Sequence, residues 1–208
     1  MLRQFTYSVE PAQGPTTTTL LLLHGTGGDE RDLLPLGRAL HPTAALLSPR
    51  GRVLEGAMPR FFRRVREGVF DLDDVRARAA ELAAFVAEAA EAHGLDRQRI
   101  VAVGYSNGAN IAHAMLLLHP DSVAGAALFH AQYVLAPDPL PALGGAPVFL
   151  AAGEQDPIVP IAEARRLADV LAAAGAEVTP FWSPGGHALT REDVAQAHAW
   201  LNSAGFGS

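Results

Sequence analysis

The segment 104–108, Gly-Tyr-Ser-Asn-Gly, constrains the possible folds of this chain more than any other part of the sequence. It follows the apolar run 100–103 and precedes an apolar stretch with helical spacing, so the predicted order is strand, tight turn and helix. The two glycines leave out Cβ atoms that would collide where the strand and the helix pack closely. Such a turn holds Ser106 at its apex, in a strained backbone conformation with its Oγ projecting above the end of the strand.

Apolar runs bounded by turn residues alternate with longer helical patterns along the rest of the chain. Continuous apolar strands separated by helices indicate a mostly parallel sheet that is covered on both faces. We expect one domain over residues 1–208 with no inserted lid, because only the loop around residues 50–70 leaves room for an insertion. The strands are predicted at 5–9, 19–24, 44–48, 100–103, 123–129, 148–152 and 177–182, and the helices at 71–93, 107–118, 161–174 and 191–202.

The composition excludes several kinds of chemistry. The 208 residues include no cysteine, which rules out disulfides, thiolate metal sites and a cysteine nucleophile. All 16 basic residues are arginine, so a Schiff-base lysine and a Walker phosphate loop are also excluded. Histidine-rich and Cys/His metal spacings are absent, and we therefore expect neither a metal nor a cofactor. What remains is chemistry that serine, histidine and carboxylates perform by themselves.

The charge and the hydropathy pattern limit the partners. A net charge of −6 argues against nucleic acid or an anionic membrane as a bulk partner. No stretch approaches the about 18 to 20 consecutive apolar residues of a membrane span, and the first residues do not form a signal peptide. A cytoplasmic location is the resulting expectation.

A nucleophilic serine requires a base, and the base requires an orienting acid. Asp156 follows the predicted strand 148–152, and His187 lies in a glycine-containing loop after the last strand, so both follow Ser106 at carboxyl ends of strands. Glu154 is an alternative acid in the same turn. His130 could line the site, but as the base it would precede the acid along the chain.

Acyl transfer also needs hydrogen-bond donors for the developing oxyanion. The first expected donor is the backbone N–H of Asn107, directly after the serine. The second is the N–H of Thr26 in the segment 24–28, His-Gly-Thr-Gly-Gly, where small residues let the backbone approach a substrate. A phosphate-binding loop is the alternative interpretation of this segment, but it lacks the Gly-x-Gly-x-x-Gly spacing.

The segment 58–66, Met-Pro-Arg-Phe-Phe-Arg-Arg-Val-Arg, interleaves aromatic and basic residues. One interpretation is a loop in which Met58, Phe61 and Phe62 form an apolar substrate pocket while an arginine reaches a polar group of the substrate. The other places the phenylalanines in the core and the arginines in solvent. The sequence does not decide between them.

Four motifs together resemble a known family. They are His-Gly-Thr-Gly-Gly at 24–28, Gly-Tyr-Ser-Asn-Gly at 104–108, Gly-Glu-Gln-Asp-Pro-Ile-Val-Pro at 153–160 and Gly-Gly-His at 185–187. In this order they look like the phospholipase/carboxylesterase family of α/β-hydrolases, over essentially the whole chain. The segments 33–36, 48–51 and 58–63 look most like its bacterial carboxylesterase branch, which includes hydrolases associated with hydroquinone stress.

The resemblance implies an α/β-hydrolase fold, a Ser106–Asp156–His187 triad and an oxyanion hole from Thr26 and Asn107. Acyl-protein thioesterases of this family usually carry Leu and Gln at the positions of Thr26 and Asn107. We therefore expect a serine carboxylesterase that acts on small to medium esters without a cofactor, as a monomer or a homodimer. An acyl thioesterase, a lysophospholipase and a catalytically silent binding protein are the alternatives.

Overall fold

The structure is a computed structural model that describes residues 1–207. Its centre is a seven-stranded sheet with the strand order β1-β3-β2-β8-β9-β10-β11. Every neighbouring pair is parallel except β1 and β3 at one edge, which are antiparallel. The strands are β1 (Tyr7–Glu10), β2 (Thr19–Leu23), β3 (Ala45–Pro49), β4 (Val53–Glu55), β5 (Met58–Arg60), β6 (Arg64–Arg66), β7 (Val69–Phe70), β8 (Ile100–Tyr105), β9 (Gly125–Phe129), β10 (Pro147–Gly153) and β11 (Glu177–Ser183).

Five α-helices cover the two faces of this sheet within the described residues. The leucines of β2 alternate between the faces: Leu21 and Leu23 belong to one apolar cluster, and Leu20 and Leu22 to the other. Counted along the chain, the second, third and fourth helices pack on the first cluster. The first and fifth helices pack on the second cluster. The helices are α1 (Leu34–Leu40), α2 (Leu72–His93), α3 (Asn107–Leu118), α4 (Ile161–Ala173) and α5 (Arg191–Ser203).

These elements confirm the predicted sheet and its covering helices. The ends of α2 follow the sequence signals: the Asp71 side chain accepts a hydrogen bond from the Asp74 N–H, and Gly94 adopts φ 65° after the last turn. The expected first strand is shorter than the predicted 5–9, and begins at Tyr7.

The sequence did not predict α1 or the two hairpins between β3 and α2. The hairpins pair β4 with β5 and β6 with β7. Their strands have two or three residues each, which is too short to show a period, and one contains Pro59. They lie in the loop 50–70 that the sequence left open, and no helical lid domain occurs among residues 1–207.

Within that same part of the chain, no helix has the length and apolar character that crossing a membrane requires.

Candidate active site

Ser106 lies at the turn between β8 and α3, where its backbone has φ 52° and ψ −114°. A side chain at positive φ is strained, and the close packing of strand and helix maintains the strain. A Cβ at Gly104 would lie 2.6 Å from the Ala109 nitrogen, and one at Gly108 would collide with the Leu23 carbonyl oxygen. The turn is thus possible only with glycine at both positions, as the sequence predicted.

His187 and Asp156 complete a continuous line of hydrogen bonds from this serine. The Ser106 hydroxyl lies 2.9 Å from Nε2 of His187, and Nδ1 of His187 lies 2.6 Å from Oδ2 of Asp156. A carboxylate can only accept, so the Nδ1–H donates to Asp156 and Nε2 is left to accept the serine proton. The three residues follow β8, β10 and β11, which end at the same edge of the sheet.

The carboxylate of Asp156 is almost completely buried, with 1% of its side chain exposed. Burial raises the pKa of Asp156, but the N–H groups of Val159 and Ile158 and the His187 side chain outweigh burial and lower it overall. Its Oδ1 accepts from these two N–H groups at 3.0 Å and 2.8 Å. The fold therefore keeps this acid ionised and in a fixed orientation.

The alternative acid, Glu154, does not approach the histidine. Its side chain is half exposed and lies 3.6 Å from the guanidinium of Arg165. Of the two carboxylates in this turn, the structure brings only Asp156 to His187.

His130 is buried behind the site, with 0% of its side chain exposed and φ 54°. Its Nδ1 lies 3.6 Å from Oδ2 of Asp156, and its Nε2 lies 3.8 Å from Oδ2 of Asp193. His130, Asp156 and His187 are close enough to hold a cation, since their ligand atoms lie within 4.8 Å of one another. Nδ1 of His187 carries the proton that it donates to Asp156, so it has no lone pair for an ion while this line of hydrogen bonds is intact.

The two expected oxyanion donors both line the pocket beside the serine. Asn107 is the first residue of α3, where a backbone N–H has no partner within the helix and where the helix dipole favours negative charge. Thr26 lies in the loop after β2. Among residues 1–207, neither the Thr26 N–H nor the Asn107 N–H donates to a backbone carbonyl in a turn, a loop or a helix cap.

The pocket has a volume of about 330 Å³ and a mixed lining. Ser106 and His187 lie in its wall, together with residues from both hairpins and from the loops after β9 and β10. Its apolar side chains are Met58, Phe70, Ile158 and Val159, and its polar ones include Arg60, Arg64, Glu67, Asn110 and Gln132.

Of the three residues predicted for a substrate pocket, Met58 lines this cavity, whereas Phe61 and Phe62 do not. They are 4% and 0% exposed and belong to the apolar cluster on one face of the sheet. Phe61 packs on the ring of His24 at 4.7 Å, and Phe62 packs edge-on against Phe70 at 5.3 Å. The assignment of both phenylalanines to the pocket is corrected: they lie between the two hairpins, and their side chains are buried in the core.

Sequence reasoning missed several residues of the wall. Tyr105 belongs to the serine turn itself, and its hydroxyl donates to the His187 carbonyl at 2.9 Å, which fixes the histidine loop. Asn110 and Gln132 are tied together, since Oδ1 of Asn110 accepts from the Gln132 N–H at 2.8 Å. Asn110 comes shortly after β8 and Gln132 shortly after β9, and this position beyond the carboxyl end of a strand is the sequence signal that could have identified them. Phe70 had none, because β7 is too short to show a pattern.

Comparisons with known proteins give matches over nearly the whole chain. A family model described as Phospholipase/Carboxylesterase matches residues 6–204. The putative hydrolase MhqD of Bacillus subtilis is 47% identical over 192 residues, which cover 92% of this chain and 96% of that protein. The crystal structure of the Bacillus cereus carboxylesterase is similar with a TM-score of 0.93 and 44% identity, over 96% of this chain and 94% of that one. A carboxylesterase structure from Mesorhizobium loti gives a TM-score of 0.89 and 37% identity, over 96% and 95% of the two chains.

Proposed function

The chain belongs to the phospholipase/carboxylesterase family and is an ester hydrolase of the α/β-hydrolase fold, and from this premise we propose that it is a serine carboxylesterase whose triad is Ser106, His187 and Asp156. The observation that carries the proposal is the line of two hydrogen bonds, 2.9 Å and 2.6 Å long, from the serine hydroxyl through the imidazole to the carboxylate. It joins three residues that are 31 or more positions apart in the sequence.

The reaction follows from the roles of these atoms. Nε2 of His187 takes the proton of Ser106 as the serine oxygen attacks the ester carbonyl, and Asp156 stabilises the imidazolium that forms. The N–H groups of Thr26 and Asn107 bind the oxyanion of the tetrahedral intermediate. His187 then gives its proton to the leaving alcohol. In the second half, His187 takes a proton from water as the water oxygen attacks the acyl carbonyl. The bond to the serine oxygen then breaks, His187 returns the proton to that oxygen, and the carboxylic acid leaves.

The dimensions of the pocket support small to medium esters as substrates. A cavity of about 330 Å³ lies at the lower end of the range for small-molecule sites. Its wall mixes apolar and charged side chains, and a long acyl chain would extend beyond it into solvent. These features favour a carboxylesterase over a lysophospholipase.

The test is hydrolysis of p-nitrophenyl esters from acetate to palmitate, with Ser106→Ala as the blank. We expect serine-dependent turnover that is highest with short to medium acyl chains and falls about 10⁴- to 10⁶-fold in the variant. Turnover that peaks at palmitate, or a thioester that is preferred over the matched oxygen ester, would favour the other activities of the family. Turnover that Ser106→Ala leaves intact would exclude the proposed nucleophile, and absence of labelling by a fluorophosphonate would indicate a silent site.

A further inference from the structure

The loop that carries Thr26 is tied to the hairpin formed by β4 and β5. The guanidinium Nη1 of Arg60 donates to the Thr26 hydroxyl oxygen at 2.6 Å, and the N–H of Gly27 donates to the Pro59 carbonyl at 2.9 Å. Thr26 and Gly27 are exposed, and Gly27 has φ 83°. Because both residues are exposed, these two bonds are the contacts that join this part of the loop to the hairpin.

The other expected oxyanion donor, Asn107, is bonded through its side chain to the residue that directly follows this hairpin. The N–H of Phe61 donates to Oδ1 of Asn107 at 2.8 Å, although the two residues are 46 positions apart. Three consecutive residues, 59–61, therefore contact the loop after β2 and the first residue of α3. We call residues 59–61 the oxyanion strut.

Arg60 is the unusual member of the oxyanion strut, since only 4% of its side chain is exposed. Burial, and next the charge of Arg64, lower the pKa of Arg60, while Glu55 at 3.4 Å opposes them. Taking an arginine out of water is costly, and an ion pair with the partly exposed Glu55 contributes little to stability by itself. Its short bond to an exposed threonine points to a task in the site instead.

The oxyanion strut is fixed from behind by His24 and Gly51. The Gly51 N–H donates to Nε2 of His24 at 2.9 Å, and Nδ1 of His24 donates to the Gly25 carbonyl at 2.7 Å. Burial lowers the pKa of His24, which favours the neutral ring that this arrangement requires. A Cβ at Gly51 would collide with the carbonyl group of Arg60, so the two backbones are in direct contact.

We propose that the oxyanion strut sets the positions of the Thr26 and Asn107 N–H groups, with Arg60 as a positioning residue that acts through the Thr26 hydroxyl. This inference rests on the proposed function, in which these N–H groups bind the oxyanion. A displacement of about 1 Å in such a site can cost on the order of 100-fold in rate. The hydrogen bond from Arg60 to Thr26 should therefore affect kcat more than the free energy of unfolding.

Thr26→Val tests the inference, because valine has the shape of threonine and keeps the backbone N–H but cannot accept from Arg60. Arg60→Met removes the donor and keeps an apolar stem. We expect each variant to lower kcat about 10- to 100-fold with KM within about 3-fold. Each should weaken binding of a trifluoromethyl ketone, which forms an oxyanion on the serine, by the same factor as kcat.

The double variant distinguishes positioning from two independent effects. If Arg60 acts through Thr26, the double variant loses no more than either single one, whereas independent losses multiply. Thr26→Ser keeps a hydroxyl for Arg60 and should retain more activity than Thr26→Val. Multiplying losses, a change confined to KM, or unaltered binding of the ketone would overturn the inference.

Arg52→Met is the matched control. Arg52 immediately precedes β4 and pairs with Glu81 at 2.9 Å, but it has no bond to the loop 24–28 or to Asn107, so kcat should not change. Ser106→Ala separates the two proposals. If it abolishes turnover while Thr26→Val and Arg60→Met do not reduce it, the triad stands and the oxyanion strut fails. Should Arg60→Met not fold, Thr26→Val still decides, because Thr26 is exposed.

Discussion

Asp156 and His187 meet at 2.6 Å through one carboxylate oxygen, while the other oxygen of Asp156 accepts two backbone N–H groups of its own turn. The carboxylate is thereby held in one orientation without the help of a flexible side chain. The His187 ring takes its orientation from Asp156 and from the loop that Tyr105 fixes through the His187 carbonyl. The orientation of the His187 ring thus depends on the turn after β10 as much as on its own loop.

Replacing Asp156 by Asn should lower kcat about 10⁴-fold while the protein remains folded, because an amide does not maintain the required tautomer or stabilise the imidazolium. Steady-state kinetics and a melting curve measure the two quantities. Glu154→Gln is the matched control in the same turn, and its kcat should equal that of the unaltered enzyme. A kcat that Glu154→Gln lowers and Asp156→Asn leaves unchanged would identify Glu154 as the acid.

Phe62→Ala should destabilise the protein by about 3 to 5 kcal/mol, because it empties a fully buried site in the core. Phe62→Leu should cost less, since it fills most of the volume. The free energy of unfolding in urea measures both changes. A normal stability with an altered chain-length preference would return Phe62 to the pocket.

Met58→Ala should alter ester selectivity and leave stability within about 0.5 kcal/mol, because Met58 lines the pocket and is 44% exposed. We expect the ratio of kcat/KM between a butyrate and an acetate ester to change by on the order of 10-fold. Exposed Leu54, in the same hairpin but outside the pocket lining, provides the control variant Leu54→Ala. An equal effect of both substitutions would contradict the role of Met58.

His113 should make stability dependent on pH. It is fully buried in α3, and burial lowers the pKa of its ring to about 4. The unfolded chain binds a proton near pH 6.5 and the folded one only near pH 4, so stability falls as the pH decreases through this interval. The loss between about pH 7 and about pH 4.5 should be about 2 to 3 kcal/mol.

His113→Gln is the comparison for this effect, since its amide oxygen can still accept the Val134 N–H that His113 accepts at 3.3 Å. Between about pH 7 and about pH 4.5, the free energy of unfolding of the unaltered protein should fall by about 2 to 3 kcal/mol more than that of His113→Gln. Parallel pH profiles would show that His113 does not contribute.

The sequence predicted the parts of the site that depend on local geometry and chain order. Gly104 and Gly108 define the serine turn by themselves, and Asp156 and His187 follow strands that end at one edge of the sheet. The wall of the pocket could not be predicted in the same way. In the segment 58–62, the charged Arg60 is buried and the apolar Met58 is exposed, which reverses the usual preference. Arg60 donates to Thr26 and the Phe61 N–H donates to Asn107, and no local pattern reveals partners that are so distant in sequence.

Arg60 both lines the pocket beside Ser106 and donates to the hydroxyl of Thr26 in the loop after β2. Selectivity and rate are therefore not separable at this position if the proposed oxyanion hole is correct: a substitution that admits a new ester would also move the Thr26 N–H, which we propose binds the oxyanion. Met58, Phe70 and Ile158 line the same pocket without a bond to Thr26 or Asn107 among the described residues. Adaptation of this enzyme toward a new substrate, in nature or in directed evolution, should therefore proceed through these three side chains while Arg60 is retained.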